Sequence, residues 1–206
     1  MMRVLGRADS LNVRKVMWAL DELGITCERQ DCGGPFGGND TPEYLRLNPN
    51  GLVPTLVDGE TVVWESNSII RYLADRQNAT AFVGGTAAER AQISKWMDWQ
   101  LSALNAPITA LFGQLVRLSA DKRDQAIIDA NVKTFRNLMS VLTRALPDEG
   151  FLVGTKVSAA DIPIGVILHR FFALVPETGL DSRIIAYHGA LAARPGFRAH
   201  VAIGKP

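Results

Sequence analysis

The sequence contains little cysteine and no long hydrophobic run. Only two of its 206 residues are cysteines, Cys27 and Cys32, and their spacing matches neither a redox C-x-x-C motif nor a zinc knuckle. No stretch approaches the roughly 18 apolar residues of a membrane-spanning helix, and the opening residues lack the apolar core of a signal peptide. We therefore expect a cytoplasmic protein with two free thiols, no disulfide scaffold and no membrane association.

A charge excess of either sign is also lacking. The formal net charge is +1 without a basic block, so nothing favours nucleic acid or an anionic membrane as a partner. The three histidines, at 169, 188 and 200, do not have metal-ligand spacing, and no P-loop, dinucleotide-binding or serine-hydrolase motif is present. With 47% hydrophobic residues, the chain can form a core. We expect a small molecule or another protein as its partner, and no metal.

The first 77 residues alternate between strand and helix patterns. Residues 2–6 and 25–31 read as strands, and the apolar residues between them recur at helical spacing. Two strands joined by a helix predict a parallel pair. A hairpin around Asp58-Gly59 and a helix from Ser66 follow. The pattern predicts a small mixed sheet with helices on its faces, in the order βαβαββα.

The rest of the chain has almost no strand pattern. Residues 78–87 read as a linker, and apolar residues then recur every three or four positions over 93–118 and 128–146. Pro107 should interrupt the first of these long helices. Ser158 and Asp161, in "VSAAD", predict a capping box at a later helix. The sequence therefore predicts an α/β domain over 1–77, a linker over 78–87 and an all-α domain over 88–206.

Val53-Pro54 is an unusual dipeptide at the start of a predicted strand, because proline has no N–H to donate to the hydrogen bonds of a sheet. A cis bond here would turn the chain sharply and leave the Val53 N–H and C=O facing a cleft, where a short extended peptide can dock as an added strand. Alternatively, a trans proline merely guards the edge of a sheet. The dipeptide alone leaves both interpretations open.

Glu65 and Ser66 lie at a predicted strand-to-helix junction in "VVWESNSII". Helix N-termini attract carboxylates through free N–H groups and a partial positive charge. Ser66 adds a hydroxyl, and Glu65 can receive an ammonium group. A ligand that carries both charges, such as an α-amino acid end, fits this pair, although an ordinary helix cap fits it too.

Ser10 and Asn12 lie at the start of the first predicted helix, directly after a strand. The Ser10 hydroxyl, the Asn12 side-chain amide and the helix N–H groups are all donors that favour an anion. A thiol placed among them should ionise more readily, which lowers its pKa. The alternative for Ser10 is a plain helix cap.

Taken together, these motifs resemble the cytosolic glutathione S-transferase family, in particular its serine-type phi and theta-like classes and their bacterial members. The resemblance rests on "SLNVRKVMWALDELG", "NPNGLVPTLVDG", "ESNSIIRYLA" and "SAAD", in this order and at family-like spacing. It spans the whole chain. It implies a thioredoxin-like N-terminal domain, an all-helical C-terminal domain and a homodimer.

The resemblance also implies glutathione as the co-substrate and gives roles to the site residues. Ser10 would hydrogen-bond the glutathione sulfur, and Asn12 would share or take over that contact. Glu65 and Ser66 would hold the γ-glutamyl end. Because Ser10 stands where other members have a cysteine, a mixed-disulfide reductase is not expected.

The same resemblance places the glutathione cysteine backbone on Val53, ahead of a cis Pro54. Leu52 departs from the family pattern, since phi-class members usually have a glutamine there, so only its backbone can contribute. The glycyl carboxylate then needs another partner. Arg14 or Lys15 could serve, although either is otherwise a solvated helix charge.

The implied activity is attack of the glutathione thiolate on a small electrophile, as in detoxification. The electrophile should bind between the domains, where ligand sites are common. A glutathione-dependent dehalogenase, isomerase or peroxidase is an alternative within the same chemistry. A non-catalytic binding or assembly module on the same fold is an alternative of another class.

Overall fold

The first part of the chain forms a four-stranded sheet with helices packed against it. The computed structural model describes residues 1–204. Its N-terminal elements are β1 (Arg3–Leu5), α1 (Leu11–Glu22), β2 (Glu28–Gln30), a 3-10 turn (Gly34–Phe36), α2 (Pro42–Leu47), β3 (Thr55–Asp58), β4 (Thr61–Trp64) and α3 (Ser66–Arg76). This order confirms the predicted βαβαββα pattern.

The strands lie in the order β2-β1-β3-β4. Val4 of β1 is opposite Arg29 in a parallel pair with β2, and opposite Leu56 in an antiparallel pair with β3. Leu56 is in turn opposite Val63 of β4, which is antiparallel to β3. The helix α1 connects the parallel pair and the Asp58-Gly59 turn closes the hairpin, so the predicted mixed sheet is confirmed.

The remainder of the described chain is helical. Its helices are α4 (Thr80–Val83), α5 (Ala87–Trp99), α6 (Asn105–Phe112), α7 (Gln125–Ala145), α8 (Asp161–Leu174), α9 (Ser182–Ala192) and α10 (Pro195–His200). The predicted linker over 78–87 therefore contains a short helix, α4. Within residues 1–204, no helix is both long and apolar enough to cross a membrane.

The first long helix of this part is interrupted earlier than Pro107. Gln100–Leu104 is π-helical, and α6 starts at Asn105, so Pro107 lies in the first turn of α6. A proline lacks the N–H of a regular helical turn, and a wider π-turn before it accommodates that loss. The irregular segment brings Gln100 to the N-terminal domain, where its side chain is fully buried.

Helix α1 joins the two domains because its outer face packs into the helical core. The fully buried Trp18 meets Phe197 edge to face, with ring centroids 5.0 Å apart. A Cβ at Gly165 would lie 3.0 Å from the Trp18 ring, so glycine is what permits α8 to approach this closely. Arg194 adds a bidentate pair to Glu22, with N···O distances of 2.6 and 2.7 Å.

The predicted capping box at α8 is present only in part. The Asp161 carboxylate accepts hydrogen bonds from the Ser158 N–H (2.8 Å), the Ser158 hydroxyl (2.8 Å), the Leu152 N–H (3.0 Å) and the Tyr187 hydroxyl (2.7 Å). Ser158 thus donates to Asp161 instead of accepting from the helix, because α8 begins at Asp161 with Ala160 as its cap residue. Burial raises the pKa of Asp161, and these four hydrogen bonds oppose that rise.

Candidate functional site

A cleft of about 240 Å³ lies where the N-termini of α1 and α3 meet the chain segment before β3. All seven residues predicted to form the site line it. The lining consists of Arg7, Ser10, Asn12, Asn39, Asn48, Asn50, Leu52, Val53, Pro54, Trp64, Glu65 and Ser66. The structure therefore brings together residues that are up to 56 positions apart in the sequence, Ser10 and Ser66.

Ser10 occupies the N-cap position of α1 without capping it. Its backbone carbonyl accepts the first helical hydrogen bond, from the Arg14 N–H at 2.9 Å, but its side chain makes no cap hydrogen bond. The interpretation as a plain helix cap is therefore wrong. The hydroxyl belongs to a residue that is only 9% exposed and that lines the cleft.

Asn12 and Ser66 connect the two helix starts across the cleft. The Ser66 hydroxyl donates to the Asn12 amide oxygen at 3.3 Å. Because this contact engages the oxygen, the amide group of Asn12 keeps its two N–H donors for other partners. Ser66 is 2% exposed and opens α3, so the pair links the start of α1 to the start of α3.

The Val53-Pro54 bond is cis, so the trans alternative is wrong. The residue before it is held by its carbonyl, since Leu52 accepts hydrogen bonds from the Tyr44 hydroxyl (2.6 Å) and the Asn48 amide (2.8 Å). The hydrogen bonds among residues 1–204 leave the Val53 N–H and carbonyl without a partner. An unpaired strand-like segment of this kind can accept a short extended peptide.

Three further asparagines of the cleft, Asn39, Asn48 and Asn50, were not predicted. Asn48 is 2% exposed and links the Leu52 carbonyl to the Thr55 hydroxyl, 3.0 Å away. Asn39 donates to the Gly51 carbonyl at 2.7 Å. Their type is ordinary for turns such as "LNPNG", and nothing in that sequence pattern shows which backbone groups they hold. Arg7 and Trp64 were likewise missed as lining residues.

Glu65 has a backbone conformation that only a minority of non-glycine residues adopt. Its φ of 70° and ψ of 114° place it at the cap position of α3, where its side chain makes no cap hydrogen bond. A positive φ at such a residue costs on the order of 1–3 kcal/mol and is concentrated at ligand sites. The residue is exposed and lines the cleft.

Arg14 and Lys15 do not line this cleft, and they are not solvated helix charges either. Arg14 is 4% exposed and donates to the carbonyls of Ala8 (3.3 Å), Val201 (3.2 Å) and Ile203 (2.7 Å). Both residues belong to the packing between the domains.

Lys15 is fully buried, and its ammonium donates to the Gln100 side-chain oxygen at 2.7 Å. Burial lowers the pKa of Lys15 to about 7, against the raising effect of Glu65. The cation in the cleft lining is instead Arg7, whose Nε lies 2.9 Å from Asp9.

Other reactive groups lie outside the cleft. Burial raises the pKa of the Cys27 thiol to about 11 and also raises that of Cys32, so neither is an activated thiol. In the part of the chain that the structure describes, no group of three or more histidine, cysteine, aspartate or glutamate side chains could hold a metal ion.

Comparison with known proteins supports the predicted family and fold. A model of the glutathione S-transferase N-terminal domain matches residues 5–81, and one of the C-terminal domain matches residues 125–202. Glutathione S-transferase GstB of Escherichia coli K12 is 34% identical over 205 residues, which is 98% of this chain and 99% of that protein. Glutathione S-transferase 4 of Zea mays is 28% identical over 197 residues, 94% of this chain and 88% of that protein.

A solved structure gives the same result. The theta class glutathione S-transferase of Xanthomonas axonopodis pv. citri, crystallised with glutathione bound, has a TM-score of 0.90 and 37% sequence identity. The match covers 100% of this chain and 99% of that one. The thioredoxin-like fold with its helical second domain is therefore confirmed, and the chain belongs to the glutathione S-transferase family.

Proposed function

We propose that this protein is a glutathione S-transferase that binds glutathione in the cleft and stabilises its thiolate beside Ser10 and Asn12. One observation carries this proposal: Ser10 begins α1 with a hydroxyl that the helix does not use. A hydroxyl at a helix N-terminus that makes no cap hydrogen bond can donate to an anion that develops there.

Each part of glutathione has a matching group in the cleft. The backbone of the cysteinyl residue would pair with the N–H and carbonyl of Val53, and the Leu52 N–H is available next to it. Glu65 would receive the γ-glutamyl ammonium, and Ser66 with the N-terminus of α3 would bind its carboxylate. Arg7 is our candidate for the glycyl carboxylate, in place of Arg14 or Lys15.

The chemistry requires the thiol proton to leave. The bound thiol releases it to solvent, and the Ser10 O–H and Asn12 N–H donate to the sulfur anion, which lowers the thiol pKa. A lowering of about one to two units corresponds to roughly 1.4–2.8 kcal/mol. The sulfur then forms a bond to an electrophilic carbon, and the leaving group departs with its electron pair. Holding both reactants together supplies the remaining acceleration.

The domain boundaries and the assembly complete the proposal. Residues 1–77 carry the glutathione site, 78–87 connect the domains and 88–206 form the helical domain. We expect a cytoplasmic homodimer. Support for the first boundary comes from α3, which ends at Arg76, and for the second from α5, which begins at Ala87.

Calorimetry with glutathione and conjugation of 1-chloro-2,4-dinitrobenzene test this function together. We expect the wild type to bind and to conjugate, Ser10→Ala to bind with a much lower rate, and Ser119→Ala, an exposed control at another helix start, to match the wild type. Binding without conjugation of any aryl halide would favour the non-catalytic alternative. Absence of glutathione binding would overturn the proposal.

A further inference from the structure

Lys15 is a buried charge that the chain does not neutralise with a carboxylate. Its side chain is fully buried, and among residues 1–204 its ammonium donates only to the side-chain oxygen of Gln100, at 2.7 Å. The ion pairs within those residues do not include it. An ammonium group buried beside a neutral amide costs stability. A group of this kind is retained where it contributes to function.

Gln100 holds this ammonium from the helical domain. It begins the π-helical segment Gln100–Leu104, is fully buried and accepts the hydrogen bond from Lys15. In the described chain its side-chain nitrogen has no hydrogen-bond partner. Because buried amides normally pair both ends, this orientation shows that the contact with Lys15 decides how the Gln100 amide points. π-Helical turns are frequent at functional sites.

The ammonium lies behind the wall of the cleft that carries Asn12. Lys15 follows Asn12 by one helical turn on the same face of α1, and long helical side chains point toward the helix N-terminus. Burial lowers the pKa of Lys15 to about 7, Glu65 opposes this lowering and Arg170 adds to it. Glu65 lines the cleft, so the field of the ammonium extends to the glutathione site.

We propose that Lys15 is a positioning residue of this transferase, whose buried charge favours the glutathione thiolate beside Ser10 and Asn12. The proposal rests on the proposed function, since it concerns the same thiolate. Lys15 contacts neither reactant and acts through the protein interior. The ammonium group of bound glutathione would pair with Glu65, and the thiolate would then balance the charge of Lys15. Each charge favours the other, so the thiol pKa falls and the lysine pKa rises.

A titration of bound glutathione, followed by the thiolate absorbance near 240 nm, tests the proposal. Lys15→Met removes the charge and keeps a side chain of similar length. It should raise the thiol pKa by about half to one unit, the shift produced by a unit charge roughly 15 Å away inside a protein. Lys133→Met, at an exposed lysine of α7, should keep the wild-type thiol pKa. A wild-type value in Lys15→Met would overturn the proposal.

Two changes at Gln100 separate charge from packing. When Lys15→Met is combined with Gln100→Met, both polar partners are removed together, so stability should recover relative to the single variant. The thiol pKa should stay raised. Gln100→Glu keeps Lys15 but gives it a carboxylate partner that compensates its field, so the thiol pKa should rise there too. A return to the wild-type thiol pKa in the double variant, or no change in Gln100→Glu, would contradict the proposal.

S-Methylglutathione shows on which group of the ligand the charge acts, because it has no ionisable thiol. Its Kd should differ by less than about three-fold between the wild type and Lys15→Met, since the cleft itself is unchanged. An equal loss of affinity for glutathione and S-methylglutathione, with an unchanged thiol pKa, would show that Lys15 supports the carboxylates of the ligand. That result would overturn the proposal.

The wild type provides a further test, which does not depend on how the variants fold. The ε-carbon resonance of lysine in ¹³C NMR reports its protonation, and burial places the pKa of Lys15 at about 7. Because linkage is reciprocal, this resonance should titrate at least about half a unit higher in the glutathione complex than in the S-methylglutathione complex. Equal values in the two complexes would contradict the proposal.

The same titrations distinguish this inference from the proposed function. If the wild type does not bind glutathione, or if the bound thiol has the pKa of free glutathione, the proposed function fails. If the thiol pKa is lowered in the wild type and equally lowered in Lys15→Met, only the present inference fails.

Discussion

The starts of α8 and α3 each combine a serine with an acidic residue, and they use them in opposite ways. At α8, the carboxylate of Asp161 is fully buried and accepts four hydrogen bonds from the protein. At α3, Glu65 is exposed and its side chain makes no cap hydrogen bond, and within residues 1–204 the side chain of its neighbour Ser66 hydrogen-bonds only to Asn12. We call the α8 start closed, because the protein supplies four hydrogen-bond donors to its carboxylate. We call the α3 start open, because the side chain of Glu65 makes no cap hydrogen bond.

The difference shows that residue type alone does not separate a stabilising motif from a binding site. A buried polar group whose partners are all provided by the protein holds the fold. Polar groups left without protein partners, on a backbone such as that of Glu65, cost stability and are retained where a ligand completes them. The predictions below probe each side of this comparison.

The largest effect should come from the closed cluster. Asp161→Asn keeps the size of the side chain but replaces an acceptor with a donor that faces the N–H and hydroxyl of Ser158. We expect the free energy of unfolding to fall by about 2–4 kcal/mol, because buried donors lose their acceptor. Urea denaturation measures this change in the free energy of unfolding. The exposed Asp148→Asn is the control and should change stability by less than about 0.5 kcal/mol.

The folded fraction of Asp161→Asn should still bind glutathione with wild-type affinity, because Leu152, Ser158 and Tyr187, which donate to the carboxylate, do not line the cleft. Equal stability of the variant and the wild type would show that the buried cluster does not carry the role assigned to it here.

The open start should respond in the reverse way. Glu65→Gln removes the charge that pairs with the γ-glutamyl ammonium, so we expect the Kd for glutathione to rise roughly ten-fold, or about 1–2 kcal/mol for an exposed charged contact. Stability should not fall. Glu60→Gln, in the exposed hairpin turn, is the matched control for calorimetric titration. An unchanged Kd in Glu65→Gln would remove this residue from the site.

The sequence alone identified the site residues whose positions depend on local structure. Ser10, Asn12, Glu65 and Ser66 lie at helix starts that the apolar periodicity and the preceding strands indicate, and the resemblance to the family implied that they share one site. The pattern of apolar residues did not predict the extra helix α4 or the π-helical segment before Pro107, because short helices and π-turns have weak sequence signals.

The missed residues depend on tertiary contacts. Asn48 matters through the Leu52 carbonyl and Asn39 through the Gly51 carbonyl. Each partner is provided by packing and not by sequence spacing. The burial of Arg14 and Lys15 was unexpected for the same reason, since long charged side chains on a helix are usually solvated.

An acid-sensitive element lies in the closed, helical part of the molecule. His188 stacks against His169 at 5.6 Å and against Phe172 at 4.5 Å. Burial, together with the charge of His169, lowers the pKa of His188 to about 4, and burial lowers that of His169 as well. The unfolded chain therefore takes up protons first as the pH falls below about 6.5, so stability present at neutral pH is lost progressively toward pH 4.

We expect the wild type to lose on the order of 1–2 kcal/mol between pH 7 and pH 4.5 from this source. In His188→Phe, which keeps the stacking and removes one titrating group, the urea midpoint should depend less steeply on pH. The same acid dependence in both proteins would exclude His188 as its origin.

The smallest effect should come from the exposed pair between Arg71 and Asp98. Their N···O distance is 2.6 Å, but Asp98 is 65% exposed, and water screens such pairs. Arg71→Ala should lower the free energy of unfolding by less than about 1 kcal/mol in urea denaturation. A loss of 2 kcal/mol or more would show that this exposed ion pair contributes more to stability than solvent screening allows.

The central claim is that donors left open at the start of α1 stabilise a sulfur anion, and a titration of bound glutathione tests it most directly. The absorbance of the thiolate near 240 nm, followed against pH in the binary complex, gives the thiol pKa. The account predicts a pKa at least one unit below that of free glutathione, with part of the shift lost in Ser10→Ala or Asn12→Ala. A pKa equal to that of free glutathione, or a shift that both variants retain in full, would contradict it.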